Sequence, residues 1–157
     1  GTTANRPGGV NGMIRYNSST NMFEAYGNAA WKPMSFTMWA GVATPSVAVS
    51  VTRYLPPSGT TTANAANDSA SRNSVTRAGV VSRLYVKTSG NPGAVVNTIT
   101  VMLNGAATSL TCTANNVTSC TDLTNSFTVA AGDEIGVRIV TGAGNAVAWS
   151  WSMEVAQ

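Results

Sequence analysis

The amino-acid sequence predicts an all-β protein, an antiparallel β-sandwich preceded by a short β-hairpin module. From Phe36 onwards, roughly eight runs of alternating apolar and polar residues follow one another with turn residues between them, as in sandwich domains. No segment shows the apolar periodicity of an amphipathic helix. Charged residues make up only 10% of the chain, against about 25% in an ordinary soluble domain. We therefore predict a linker and hairpin module in residues 1–34 and a sandwich domain in residues 35–157.

The hairpin is predicted by residues 12–31, GMIRYNSSTNMFEAYGNAAW. Two alternating runs flank the polar residues 18–21, which we take as the loop. The register then follows: Tyr16 faces Phe23, Arg15 faces Glu24, and Ile14 faces Ala25. Each aromatic or opposite-charge pair contributes roughly 0.2–1 kcal/mol, and a slip of one residue would lose both pairs. A two-stranded hairpin is marginal alone in water, so we expect the module to pack on the rest of the chain or on copies of itself.

The module also carries a resemblance. The residues concerned are Arg6-Pro7, Gly12-Met13-Ile14-Arg15-Tyr16-Asn17, Thr20, Phe23-Glu24, Tyr26 and Trp31. In this pattern the module resembles a short segment common in bacteriophage tail-fibre and related virion proteins, where it precedes a C-terminal domain or chaperone segment of a trimeric fibre. The resemblance implies a location on the virion surface and other virion proteins as partners. The chain begins GTTANRPGG without a Met, and we expect further residues before it.

The sandwich domain is predicted to contain a long strand in residues 75–88, after two strands in residues 36–42 and 47–51 that Pro45 separates. The long strand's core face is expected to hold Ala78, Val80, Ser82, Leu84 and Val86. Its other face holds Arg77, Val81, Arg83, Tyr85 and Lys87. This basic stripe with a tyrosine is a solvated sheet face, a subunit interface or a ligand-binding face.

The closing strand, residues 146–155, places Trp149 and Trp151 on one face with Val147, Met153 and Val155. Two tryptophans at this spacing could grip sugar rings, but the small, polar opposite face favours a core position. The turn AAGDEIGVRI and this strand resemble the end of jelly-roll domains of the TNF-like kind, which associate as trimers. The resemblance implies a homotrimer, and the candidate interface residues are Arg83, Tyr85, Ser150 and Ser152.

The two cysteines, Cys112 and Cys120, lie in TCTANNVTSCT. If residues 115–117 form a three-residue hairpin loop, the cysteines lie opposite each other on antiparallel neighbours, close enough for a disulfide. Such a bridge would stabilise the fold by roughly 2.5 kcal/mol in the chain-entropy model. Two buried free thiols are the alternative if the protein matures in a reducing compartment. Two Cys without any His cannot supply the four ligands of a structural zinc site.

Several classes of function are disfavoured. The net charge of +3 comes from nine basic and six acidic residues, and the basic residues are scattered, whereas nucleic-acid binding requires a clustered patch. No stretch approaches the apolar length of a membrane helix. Without His, no Ser-His or Cys-His pair exists. Asp133 and Glu134 are neighbours that point to opposite strand faces, so they make a poor glycosidase pair.

Asp133 is better explained as a turn residue than as a calcium ligand, because no Asp cluster accompanies it. We therefore expect no enzymatic activity, no metal and no cofactor.

A receptor-binding fibre tip is the function that we predict, recognising a host-cell surface glycan or an outer-membrane protein. The candidate contact regions are the long irregular segment 56–74, other apical loops, and exposed aromatics such as Trp39 and Tyr54. The segment is a candidate because such loops in compact domains are either functional or simply solvated and mobile. The candidate receptor-binding residues are Trp39, Tyr54, Asn64, Asn67, Asp68 and Arg72. A purely structural head-fibre or capsid decoration protein is the alternative, and a depolymerase fragment is disfavoured by the missing acid pair.

Overall fold

The structure, a computed structural model, describes residues 1–34, 36–61 and 68–156. The chain forms two compact units, one built on Gly1–Thr37 and the other on Met38–Val155. Candidate residues Asn64 and Asn67 lie outside the described residues, and only the backbone of Asp68 is described. The described residues contain no α-helix, so the predicted all-β class is confirmed.

The first unit is a three-stranded antiparallel sheet of β1 (Ile14–Asn17), β2 (Met22–Gly27) and β3 (Ala30–Pro33). The predicted hairpin register is confirmed, with Arg15 opposite Glu24. The rings of Tyr16 and Phe23 meet edge to face, with centroids 5.5 Å apart. A second tight turn after Gly27 adds a third strand to the predicted hairpin, and in this strand, β3, Trp31 pairs with Tyr26. This third strand provides part of the support that an isolated hairpin lacks.

The N-terminal leader covers one face of this sheet. The Arg6 guanidinium donates to the carboxylate of Glu24, which is 1% exposed, and Asn17 donates to the same carboxylate at 2.8 Å. These hydrogen bonds, from Arg6 and then Asn17, lower the pKa of Glu24. Arg15 donates to the leader carbonyl of Gly1 at 2.6 Å. The unit is therefore held together by a polar centre rather than an apolar core.

The second unit contains two five-stranded sheets. Its elements are β4 (Phe36–Val47), β5 (Thr52–Leu55), β6 (Gly59–Thr61), the 3₁₀ turn η1 (Asp68–Ser71), β7 (Asn73–Ser74), β8 (Gly79–Thr88), β9 (Asn97–Leu103), β10 (Ala106–Ala114), β11 (Ser119–Val129), β12 (Glu134–Val140) and β13 (Val147–Ala156). One sheet has the order β10-β9-β12-β5, with β7 also paired to β12. The other has the order β11-β8-β13-β4-β6, in which β6 runs parallel to β4.

One hydrophobic core receives side chains from both sheets. Its largest buried side chains include Leu55, Ile99, Ile135 and Ile139 from the first sheet and Leu84, Trp149 and Met153 from the second. Trp151 is buried as well, which confirms the predicted core position of both tryptophans and removes them as sugar platforms. The architecture is compatible with the predicted β-sandwich.

The long strand, β8, differs from its prediction in two ways. It begins later, and different side chains point to the core in its first half. β8 starts at Gly79, and Val81 is 0% exposed while Val80 is 38% exposed. Arg83 has a φ of 57°, and the register with β11 shifts between Asp122 and Ser126. Between these two pairs β11 has three residues and β8 has one, and the inward and outward faces of β8 exchange across this irregularity. The strict alternation assumed from the sequence therefore holds only after Arg83.

Two further expectations were wrong. Pro45 lies within one continuous strand, β4, and residues 48–51 form a loop. Proline is tolerated on edge strands, and β6 pairs with β4 only at residues 41–43. Segment 56–74 is not wholly irregular either, because it contributes β6, η1 and β7.

Strands β10 and β11 close one edge of the unit, which we call the closed edge. Cys112 and Cys120 form a disulfide with a Cα–Cα distance of 5.8 Å. The expected cysteine hairpin is absent, because β10 and β11 are edge strands of different sheets. The Asp122 carboxylate on β11 accepts a hydrogen bond at 3.1 Å from the Thr111 backbone N–H on β10. The Ser109 hydroxyl on β10 also donates to the Ser126 carbonyl on β11 at 3.5 Å. The closed edge thus carries a disulfide and two hydrogen bonds between the described residues of the two sheets.

Candidate functional site

A groove of about 600 Å³ lies on the outer face of the β11-β8-β13-β4-β6 sheet. We call it the outer groove. Its side walls come from β8 and β11 on one side and from β4 and β6 on the other, with β13 between them. The volume falls within the range of roughly 300–1,000 Å³ that is usual for binding sites. A smaller hollow continues the groove along Lys87 and Ser150.

Small residues make the centre of the outer groove shallow. Ser150 and Ser152 alternate along β13 with the buried tryptophans, so their side chains point outward, and Ala40 faces the same way on β4. Gly41 is required beneath this surface, because a Cβ there would lie 2.5 Å from the Trp151 ring. The Trp151 indole N–H donates to the Pro57 carbonyl at 3.1 Å, which fixes the ring. A flat, small-residue surface of this kind lets another molecule approach closely.

Apolar side chains flank the centre of the outer groove. Tyr85 is 47% exposed on β8, and Val42 and Met38 are exposed on β4. Among the thirteen groove-lining residues Lys87 is the one charged residue. Next to the groove, Arg83 and Glu154 form an exposed ion pair at 3.5 Å. The surface is therefore nearly neutral and partly apolar.

The four candidate trimer-interface residues lie on or beside this one face. Tyr85, Ser150 and Ser152 line the outer groove, and Arg83 pairs with Glu154 at the end of the closing strand. Sequence analysis treated the β8 stripe and the closing strand as two separate surfaces. They are one surface, because β8 and β13 are neighbours in the sheet. Alternation along a strand gives the face of a residue but does not give the neighbouring strand, so Ala40, Val42, Ser119 and Thr121 were missed.

Of the six candidate receptor-binding residues, the structure describes the side chains of Trp39, Tyr54 and Arg72. Trp39 packs against the core from β4. Tyr54 lies opposite Arg138 on the other sheet, and Arg72 forms an ion pair at 3.1 Å with Glu134. Trp39 thus lies on a different sheet from Tyr54 and from Glu134, the ion-pair partner of Arg72.

The acidic side chains that the structure describes all have structural partners. Glu24 binds Arg6, Glu134 binds Arg72 and Glu154 binds Arg83. The carboxylate of Asp133 accepts hydrogen bonds from the Ala130 backbone N–H and then the Asn104 amide, and they lower its pKa. Asp133 is thus a turn residue, as the sequence predicts.

Asp122 has the most strongly shifted of these carboxyl groups. Burial alone would raise its pKa, but hydrogen bonds from the side chain and backbone of Asn125 and from the backbone of Thr111 and Thr124 outweigh burial. The resulting pKa is about 2, against 3.8 for an ordinary Asp. Every one of these donors is structural, which points to a role in stability rather than in catalysis.

No family model, curated protein or solved structure matches the chain. Within the part of the chain that the structure describes, no group of three or more Cys, Asp or Glu side chains could hold a metal ion. The same residues include no helix long and apolar enough to cross a membrane. Among the described residues of the second unit, the outer groove is a concave surface of the size usual for binding sites.

Proposed function

We propose that the chain is the C-terminal part of a bacteriophage virion fibre, a tail fibre or spike. In this proposal the protein assembles as a homotrimer on the virion surface and binds a receptor on the host cell, either a glycan or an outer-membrane protein. The observation that carries the proposal is the outer groove, which offers an exposed sheet face suited to another copy of the chain. Subunit interfaces have centres that are apolar and depleted of charge, and the outer groove has this character around Tyr85, Ser150 and Ser152.

The strand order supports a jelly roll as the finer description of the sandwich. The eight long or core strands, counted in chain order, are β4, β5, β8, β9, β10, β11, β12 and β13. One sheet then holds the first, eighth, third and sixth strands, and the other holds the second, seventh, fourth and fifth. Every connection except β9 to β10 crosses between the sheets, as in a jelly roll wound from two Greek keys.

The first unit supports a fibre in a second way. Its uncovered face carries Ile14, Tyr16 and Phe23, and Met34 follows beside them. All four are exposed, although the opposite face is covered by the leader and holds the polar centre. Exposed apolar patches of this kind mark interaction surfaces. In a trimeric fibre these faces would be buried by other copies of the module.

Solution mass tests the trimer directly. Light scattering on the purified chain should give close to three times 16.1 kDa at low and high salt. Ser150→Arg and Ser152→Arg each place a bulky cation in the centre of the outer groove and should yield monomers. Thr113→Arg, an exposed change on the other sheet, is the matched control and should remain trimeric.

Three outcomes separate the alternatives. A monomer for the parent chain at all concentrations contradicts the trimeric fibre. Trimers from both serine variants would exclude the outer groove and direct attention to the Ile14, Tyr16 and Phe23 face. A parent trimer that binds purified capsids but no cells would favour the decoration protein over the receptor-binding fibre.

A further inference from the structure

Strand direction places four loops together at one end of the second unit, which we call the tip end. They are residues 48–51, 89–96, 115–118 and 141–146. The turns at residues 104–105 and 130–133 lie at the opposite end, the base end, where Asn104 binds Asp133. The chain enters the second unit through β4 at the base end and reaches the tip end at Val47. The tip end is therefore opposite to the end at which the chain enters this unit.

The predicted contact segment returns to the opposite end. Its last strand, β7, pairs with Glu134 and Ile135 at the start of β12. The next residue, Val75, exchanges backbone hydrogen bonds with Asp133 and Gly132 at 2.7 and 2.8 Å. Residues 73–75 of this part of the chain thus lie at the base end, where β4 also begins.

Backbone and asparagine hydrogen bonds join the four loops of the tip end. The Ser50 N–H donates to the Gly142 carbonyl at 3.0 Å, and the Asn145 N–H donates to the Pro92 carbonyl at 2.8 Å. The Asn91 side-chain amide donates to Asn116 Oδ1 at 2.9 Å. Each loop is thereby bonded to at least one of the others, so the tip end is preorganised rather than assembled on binding.

Glycine is required in one of these loops. A Cβ at Gly144 would collide with the Pro92 carbonyl oxygen. The loops 89–96 and 141–146 therefore approach each other as closely as backbone allows.

The tip end has a distinctive composition. Its four loops contain no Asp, Glu, Lys or Arg and no aromatic residue. They expose three aliphatic side chains, Val49 at 38%, Val96 at 60% and Val117 at 45%. The exposed amides of Asn91, Asn116 and Asn145 accompany these valines. Aliphatic contacts bordered by amide donors and acceptors, without charge, match the centre and rim of a protein–protein interface.

We propose that the tip end is the receptor-contact surface and that it recognises an uncharged protein surface. This inference rests on the proposed function, since it specifies where and what the fibre binds. The lack of any ring to stack on a sugar face disfavours a glycan. Without charges at the contact, association depends little on ionic strength.

The experiment measures binding of the fluorescently labelled parent chain to intact cells of a bacterial strain panel by flow cytometry. Strains that bind are then treated with proteinase K or with periodate, which destroy surface proteins and glycans respectively. Val96→Glu and Val117→Glu each place an unpaired charge in the contact and should weaken binding by more than about tenfold. Ala131→Glu, an exposed change at the base end, is the matched control. All variants should unfold at the parent temperature, since each site is on the surface.

The outcomes are distinct. Binding that is lost after proteinase K, kept after periodate and reduced in both valine variants supports the proposal. Parent-like binding by both valine variants overturns it, as does loss of binding confined to Asn64→Ala and Asn67→Ala in the segment first predicted. Sensitivity to periodate alone overturns the protein partner in favour of a glycan. A parent chain that binds no strain contradicts receptor binding itself, and therefore the proposed function rather than the choice of surface.

Discussion

Asp122 concentrates the polar interactions of the closed edge on one side chain. Its two oxygens accept hydrogen bonds from Thr111, Thr124 and Asn125, and the group is buried. Each donor would lose its partner if the carboxylate were removed, and the hydrogen bonds would weaken if it were protonated. The stability of the second unit should therefore depend on the ionisation of Asp122 at low pH.

We expect Asp122→Ala to lower the free energy of unfolding at pH 7 by about 1–3 kcal/mol, because part-buried donors lose their charged partner. A carboxyl group with a depressed pKa stabilises the fold fully above its unfolded pKa of 3.8, and that contribution is lost as the pH falls towards about 2. The difference between parent and variant should accordingly be constant from pH 7 to 5 and shrink between pH 4 and 2. Thermal unfolding followed by circular dichroism measures it. Thr128→Ala, an exposed change on β11 outside the outer groove, is the control, and a difference that is unchanged at pH 2 would contradict the assignment.

Gly41 offers a second prediction at this scale. A Cβ at this position would meet the fixed Trp151 ring at 2.5 Å, so Gly41→Ala should destabilise the second unit by about 1–3 kcal/mol through overpacking. Gly90→Ala is the matched control, because the nearest atom to its Cβ would be 3.9 Å away. Denaturant unfolding compares the two variants. Equal stability of the two would mean that the ring can move aside.

At the scale of elements, the disulfide joins two strands that share no hydrogen-bonded ladder. We expect the double variant Cys112→Ser and Cys120→Ser to unfold with a free energy lower by roughly 2.5 kcal/mol. Dithiothreitol should lower the stability of the parent to the same level and leave the variant unchanged. A parent that is equally stable with and without reductant would show that the bridge contributes nothing.

The elements also show what sequence could and could not predict. The hairpin register followed from Tyr16, Phe23, Arg15 and Glu24, because pairing rules act between residues close in sequence. Which side chains of β8 point to the core did not follow from the sequence, because the irregularity at Arg83 leaves no clear mark in it. The placement of the two cysteine strands in different sheets did not follow from the sequence either, since a short loop can connect strands of two packed sheets as well as the strands of a hairpin.

At the scale of the whole molecule, the sequence did not show which strands are neighbours, and this limited the prediction of the candidate sites. Sequence analysis named Tyr85 and Ser150 separately, and only the order β11-β8-β13-β4-β6 places them in one groove. The choice of segment 56–74 as the contact region rested on its length and composition. Which end of a sandwich a loop occupies depends on the direction of every strand before it, and composition carries no information on direction.

The closed edge has a consequence for how the second unit opens. Its disulfide and Asp122 link lie on one side, whereas β5 and β6, at the far edges of the two sheets, carry no cysteine. We expect backbone amides of β5 to exchange with deuterium sooner than those of β10 and β11 in hydrogen-exchange mass spectrometry. In the double serine variant, exchange in β10 and β11 should rise to match β5, while exchange in β5 itself stays as it was. The disulfide-linked edge then determines from which side the two sheets of the second unit separate.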